Sequence, residues 1–339
     1  MADHSSGSAR IPLDPASLDR AAGVLLAAAV GDALGVPYEF APPFAGDPEM
    51  KGGGLGPYAP GEYSDDTQMA ACVAEVAATG ADLTQPWALD AIADRFIAWI
   101  RDGASDVGNS TRAVLRGAEP GPGSAARLAA SAIWEFASTG LGAGNGALMR
   151  TGIVGLCALG DRVQTARAAR AVSELTHADP LAADSCILWS EAIRVAVIEG
   201  RFDLLGGLDL IEEHRQSQWR AWIDQATGAD PASFGPNGFT VTALQAAWAA
   251  ITSTLGSSRM IAADHLTSAL FAAVHAENDT DTVAAIAGAL LGARWGASAV
   301  PTRYRSQVHG WPGLGDSDLV RLAVLTARGG ADERGSSAT

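Results

Sequence analysis

The sequence predicts an all-α fold. Three observations carry this: apolar residues recur at intervals of three and four along most of the chain, alanine fills the gaps between them as the best helix former, and the alternating pattern of a half-buried strand is nearly absent. Hydrophobic residues make up 48% of the 339 and aromatics only 6%, so small aliphatic side chains must build the core. No fixed-period repeat and no long polar linker divides the chain. One compact domain over 15–328 is therefore expected, between flexible Gly/Ser/Asp-rich ends at 1–14 and 329–339.

The first helix is expected over 16–34, with Ser17 and Arg20 near its start and an apolar run, Ala21 to Val30, that Gly31 and Asp32 interrupt. The next, 65–79, opens on Ser64-Asp65-Asp66-Thr67. Helical spacing continues over 86–101, 108–117, 124–138 and 145–158, then over 162–176, where Asp161 supplies a cap. It resumes over 181–199, 241–255 and 258–276, over 281–296 behind Asn278-Asp279-Thr280-Asp281-Thr282, and over 316–328 behind Asp316. Two Gly/Pro-rich stretches, 42–62 and 228–240, break the pattern and read as surface loops over a site.

Charge and cysteine content narrow the function. Against 23 basic residues stand 38 acidic ones, a net of −15 that repels nucleic-acid phosphates and excludes generic DNA or RNA binding. Cys72, Cys157 and Cys186 lie far apart in apolar stretches and form no legible disulfide or zinc pattern. The N-terminus lacks the basic and apolar regions of a signal peptide, and the run at 21–30 is shorter than the roughly 18 residues of a membrane span. A cytoplasmic, membrane-free monomer is the expectation.

Three constellations could carry chemistry. Asp65 and Asp66 at one helix start, and Asp279 and Asp281 at another, read singly as capping residues that complement the helix dipole. Read together, two Asp pairs interleaved with Ser and Thr supply the hard oxygen donors that suit Mg²⁺ or Mn²⁺, and converging carboxylates need cations. A terpenoid synthase would want an acid at Met69 and a glutamate at Ile286, so that arrangement does not match. The paired Glu-x-x-Glu faces of an α-helical nucleotide pyrophosphohydrolase are not evident either. The third constellation, Gly31-Asp32-Ala33-Leu34-Gly35-Val36-Pro37-Tyr38-Glu39, reads as a helix C-terminus, which leaves Asp32 and Glu39 without an explanation. His177 alone reads as a residue on a helix C-terminal dipole, Arg150 as a structural ion-pair partner, the tryptophans as core, and 308–313 as a tight loop that could approach a cleft.

In order, Gly31-Asp32-Ala33-Leu34-Gly35 with Glu39, Ser64 to Thr67, Asp106-Val107-Gly108-Asn109-Ser110-Thr111, Gly144 to Arg150, Thr176-His177-Ala178-Asp179 and Asp279 to Gly288 resemble the motif set of the ADP-ribosylglycohydrolases. The resemblance implies an all-α fold around a central binuclear Mg²⁺ or Mn²⁺ site. It implies hydrolysis of the bond between ribose C1″ and a modified protein side chain, with an ADP-ribosylated protein as substrate and ADP-ribose as product. Ser64, Asp65, Asp66, Asp279, Asp281 and Thr282 would ligate the two cations. Glu39 matches a flap position that acts on substrate or water, and Asp106 a base or positioning residue in a loop that Gly108 shares. The turn at Asn145, Gly146 and Ala147 would offer backbone N–H groups from a helix start to the diphosphate, and His177 would line the cleft. The pattern from Gly31 to Glu39 is closest to bacterial arginine-linked members; serine-linked or other O-linked hydrolysis, or a non-catalytic ADP-ribose-binding relative, are the alternatives.

Overall fold

The computed structural model describes residues 11–256 and 261–331. Among these the chain forms α1 (Pro15–Gly35), α2 (Asp65–Ala77), α3 (Pro86–Arg101), α4 (Asn109–Leu115), α5 (Ser124–Thr139), α6 (Arg162–Glu174) and α7 (Pro180–Glu199). These are followed by α8 (Glu213–Ala226), α9 (Thr240–Ser253), α10 (Ala262–Val274), α11 (Thr280–Trp295), α12 (Thr302–Arg305) and α13 (Asp316–Ala327). A two-residue antiparallel hairpin, β1 (His309–Gly310) with β2 (Leu314–Gly315), is the one sheet among the described residues. The expected flexible ends fall largely outside the described residues, as do positions 258–260 of the expected tenth helix.

Local chemistry sets several boundaries. Asp14 caps α1 by accepting from the Ser17 N–H at 2.7 Å, Asp161 accepts from Val163 and Gln164 at 3.0 Å each, and Asp179 accepts from Leu181 at 2.8 Å. Helices α1 and α11 have no solvent face over most of their length and run antiparallel through the centre of the core. Gly23 and Gly292 face each other, Gly31 faces Ala284, Gly35 faces Asp281, and Gly288 faces Ala27; a Cβ added at any of these glycines would overlap the opposing backbone. The two helices therefore meet backbone to backbone, and this close approach sets the end of α1 against the start of α11.

Four differences from the sequence reading have physical causes. The expected helix at 145–158 is a set of turns with a 3₁₀ segment over Gly152–Leu156: after one bond from Met149 N–H to Asn145 O, the chain tightens, and the Thr151 and Val154 N–H groups donate three residues back, to Leu148 O and Thr151 O. Helix α8 was not expected; its composition is polar, and only Trp219, Ile223 and Ala226 form a narrow buried stripe. By length and mean hydropathy α1 could cross a membrane, but 94% of that window is buried inside the protein. Among the described residues Arg150 makes no ion pair: fully buried, it donates to Gly146 O, Val172 O and Thr176 Oγ1 at 3.0, 3.1 and 2.7 Å, with its guanidinium over the Phe96 ring.

The 42–62 stretch is a loop, as expected, pinned to its surroundings. Tyr38 Oη accepts from Glu49 N–H at 3.1 Å, Gly54 lies against Val36 O, and Gly53 bridges Tyr58. The loop then leads to Tyr63, whose N–H donates to His309 O and whose hydroxyl reaches Trp311 O and Leu314 O at 3.1 and 3.2 Å. The hairpin thus braces the residue immediately before Ser64.

Candidate active site

The N-termini of α2 and α11 and the last turn of α1 converge on one buried cluster of oxygens. Helix dipoles favour negative charge at both N-termini, which is why acidic residues tolerate these positions. Asp32, Asp66 and Asp281 each contribute a carboxylate oxygen within 4.8 Å of the others, and all three are buried. Glu39, Asp106 and Asp281 form a second such group, half-buried at Glu39 and Asp106. Ser64 Oγ lies 2.8 Å from Asp32 Oδ1, 3.0 Å from Asp66 Oδ2 and 3.2 Å from Asp281 Oδ2. Asp65, half-buried, sits at the same helix start.

On the α11 side the ligand-type residues are held by amides. Asn145 Nδ2 donates to Asp279 Oδ2 at 2.7 Å, and Asn237 Oδ1 accepts from Asp279 N–H at 2.9 Å. Asn145 Nδ2 also reaches Asn237 O at 3.1 Å, so the two loops carrying these amides lock together over Asp279. The Thr282 N–H donates to Asp281 Oδ1 at 3.0 Å. Thr280 Oγ1 donates to Gly35 O at 2.9 Å, which ties α11 back to α1.

The electrostatics demand compensation. Among the described residues no ion pair involves Asp32, Asp65, Asp66, Asp279, Asp281, Glu39 or Asp106. Burial, then the charges of neighbouring acids, hold Asp65, Asp66 and Asp281 well above the usual carboxylate range. Burial also raises Asp279, against the hydrogen bond from Asn145. Glu39 is pushed up to about 11 by burial and by the charges of Asp281, Asp106 and Asp279. Asp66 Oδ1 is buried without any hydrogen-bond partner. An orphaned carboxylate oxygen among other carboxylates, with hydroxyls and no thiolate or imidazole nearby in the cluster, fits a hard divalent cation.

The predicted site residues are brought together to different degrees. Ser64, Asp65, Asp66, Asp279, Asp281 and Thr282 all lie at the two facing helix starts, with Glu39 and Asp106 on the neighbouring rim. Gly108 is exposed at the start of α4, and a Cβ there would meet nothing within 4 Å. Asn145, Gly146 and Ala147 form a turn beside Asp279 and not the expected helix start; the Asn145 N–H is bonded to Gly238 O and is not free for an anion. His177 is buried beneath that turn, its ring 3.2 Å from where a Cβ would stand on Gly144 or Gly146, and its Nδ1 lies 2.7 Å from Thr176 Oγ1. Burial and the Arg150 charge push His177 down to about 3, so it supports the turn as a neutral ring.

Two residues of the cluster had no role in the sequence reading. Asp32 was conspicuous as a charge in an apolar helix end, and the structure places it in the centre. Asn237 lies in a Gly/Pro-rich loop and carried no periodic signal; only its pairing with Asp279 and Glu277 O, at 2.9 Å each, shows its part.

A family model described as ADP-ribosylglycohydrolase matches residues 13–334. The chain is 27% identical over 312 residues to an ADP-ribosyl-[dinitrogen reductase] glycohydrolase of Rhodospirillum rubrum, covering 87% of this chain and 92% of that protein. It is 29% identical over 311 residues to an ADP-ribosylarginine hydrolase of Pseudomonas putida, covering 86% of this chain and 75% of the relative. A solved structure described as an ADP-ribosylglycohydrolase-related protein complex superposes with a TM-score of 0.66 at 27% identity, over 93% of this chain and 99% of that one.

Proposed function

The chain belongs to the ADP-ribosylglycohydrolase family, hydrolases acting on glycosyl bonds, and from that premise we propose that it removes ADP-ribose from arginine side chains of proteins with the help of two divalent cations, Mg²⁺ or Mn²⁺. The observation that carries the cation requirement is Asp66 Oδ1, buried and partnerless among carboxylates that have no cationic side chain bonded to them. The arginine linkage is supported by the likeness to the ADP-ribosylarginine hydrolase of Pseudomonas putida.

Ser64, Asp65, Asp66, Asp279, Asp281 and Thr282 would hold the cations. When bound, these ions would neutralise the cluster, hold ribose hydroxyls and make an attacking water more acidic. The rest of the chemistry falls to this chain. Hydrolysis joins a water oxygen to C1″ and breaks the C1″–N bond of the modified guanidine. The water's proton passes to an Asp106 carboxylate oxygen, and the departing nitrogen takes up a proton, for which the Glu39 carboxyl, placed beside Asp106 on the rim, is the donor. Gly108 leaves open space for the nucleotide to approach the rim. Asn145 and Asn237 keep Asp279 from turning away.

The test is release of ADP-ribose from defined arginine-, serine- and aspartate-linked peptides by chelator-treated protein, with and without added Mg²⁺ or Mn²⁺. Release from the arginine peptide only after metal is restored is the expected result. Full activity in the presence of EDTA would remove the cations from the proposal, and preference for the serine peptide would reassign the linkage.

A further inference from the structure

Distance alone makes Asp32 a ligand candidate equal to Asp66 and Asp281, since the three carboxylates share one 4.8 Å neighbourhood. Hydrogen-bond accounting separates them. Asp32 Oδ1 accepts from the Ser64 N–H at 2.8 Å and from Ser64 Oγ at 2.8 Å. Its Oδ2 accepts from the Thr67 N–H at 3.0 Å and from Thr67 Oγ1 at 2.6 Å. An ionised carboxylate has about four lone-pair sites, and here all are filled by the first turn of α2. Asp66 shows the opposite condition, with one oxygen bare.

Ser64 has a single hydroxyl proton and three carboxylate oxygens within reach. The shortest contact is to Asp32 Oδ1, which the Ser64 N–H also fixes in place. With the proton directed there and both carboxylates ionised, as cation binding requires, the Ser64 lone pairs face Asp66 Oδ2 and Asp281 Oδ2 at 3.0 and 3.2 Å, leaving three oxygens with no hydrogen between them. A cation placed among them relieves that repulsion.

We infer that Asp32 is a positioning residue: it takes the Ser64 hydroxyl proton, turns the Ser64 lone pairs toward the cation site, and binds no cation itself. The inference rests on the divalent-cation reading above. Outer partners of metal ligands commonly govern affinity in this way, and their loss costs roughly 10–100-fold. Asp32→Asn keeps the shape, but whichever way the amide turns, its NH₂ meets two donors, and the Ser64 proton is released toward Asp66 or Asp281.

Calorimetric titration of Mn²⁺ into metal-free wild type, Asp32→Asn, Ser64→Ala and the double variant tests this, with circular dichroism checking the fold of each. Asp32→Asn and Ser64→Ala should each weaken binding by roughly 10–100-fold at unchanged stoichiometry, and the double variant should be no weaker than Ser64→Ala alone. Loss of a bound equivalent in Asp32→Asn, or a further drop in the double variant, would make Asp32 a direct ligand and overturn the inference. Wild-type affinity in Asp32→Asn would overturn it too. If Asp32→Asn does not fold, Ser64→Ala decides: weakened binding supports the role, and unchanged binding removes the ligand that Asp32 would position. Absence of Mn²⁺ binding by the wild type would instead overturn the cation reading, and this inference with it.

Discussion

Asp66 and Asp281 meet at buried helix starts where burial, then the charges of neighbouring acids (Asp32 and Asp65 on Asp66, Asp66 and Asp279 on Asp281), raise their proton affinity, so without cations their charge works against the fold. Replacing either by asparagine removes one of the repelling charges and keeps the shape. Metal-free Asp66→Asn or Asp281→Asn should therefore melt no lower than metal-free wild type, while losing the thermal shift on adding Mn²⁺ and most of the turnover; a wild-type rate and metal content would make that residue a cap. Glu39 should behave differently, because it sits half-buried on the rim beside Asp106. Glu39→Gln loses the proton-transfer function and should slow single-turnover hydrolysis by about 10²–10⁴ while Mn²⁺ stoichiometry is kept. Calorimetry beside rapid-quench kinetics separates these outcomes, and loss of one ion would place Glu39 among the ligands.

At the scale of elements, the seam between α1 and α11 sets the site geometry, since Gly31 and Gly35 bring Asp32 within reach of Asp281. Gly31→Ala puts a methyl against the Ala284 carbonyl, a backbone atom that cannot rotate away, and should cost about 1–3 kcal/mol as overpacking does. Gly108→Ala, where the added methyl meets nothing, should leave thermal melting unchanged but weaken ADP-ribose binding measured by calorimetry. Most of these elements were legible: helical spacing located α1, α2, α3, α7 and α11, and the two Asp pairs marked the site. Helix α8 was not, because its stripe of Trp219, Ile223 and Ala226 is too narrow to stand out from the polar residues around it. The 145–158 segment misled for the reverse reason: its spacing is helical, but its backbone turns to i→i+3 bonds from Leu148 onward and runs on as a 3₁₀ segment. Side-chain pairing across the chain, such as Asn237 with Asp279, leaves no local trace.

Over the whole molecule, the cluster makes stability depend on pH and metal together. A carboxyl whose proton affinity is higher in the folded than in the unfolded protein stabilises the fold while protonated, and that contribution is lost as pH rises through the folded-state value. Burial raises Asp32 to about 6, and Asp65, Asp66 and Asp281 lie well above their ordinary 3.8, so the loss begins above pH 4 and continues through neutrality. Acids lowered by their partners, such as Asp82 with its bonds to Thr84, act in the opposite sense but only at lower pH, where their folded and unfolded forms differ in charge. Metal-free protein should therefore melt at a lower temperature at pH 7.5 than at pH 5.5. Divalent cations reverse the order, because binding requires deprotonated ligands and is stronger at the higher pH. At a hundredfold excess over the dissociation constant each ion adds about 2.7 kcal/mol, enough to shift the midpoint by several degrees. Differential scanning fluorimetry over both pH values, in EDTA and in Mn²⁺, checks this; if metal-free stability rises with pH from 5.5 to 7.5, the cluster is not the dominant titrating feature of the fold.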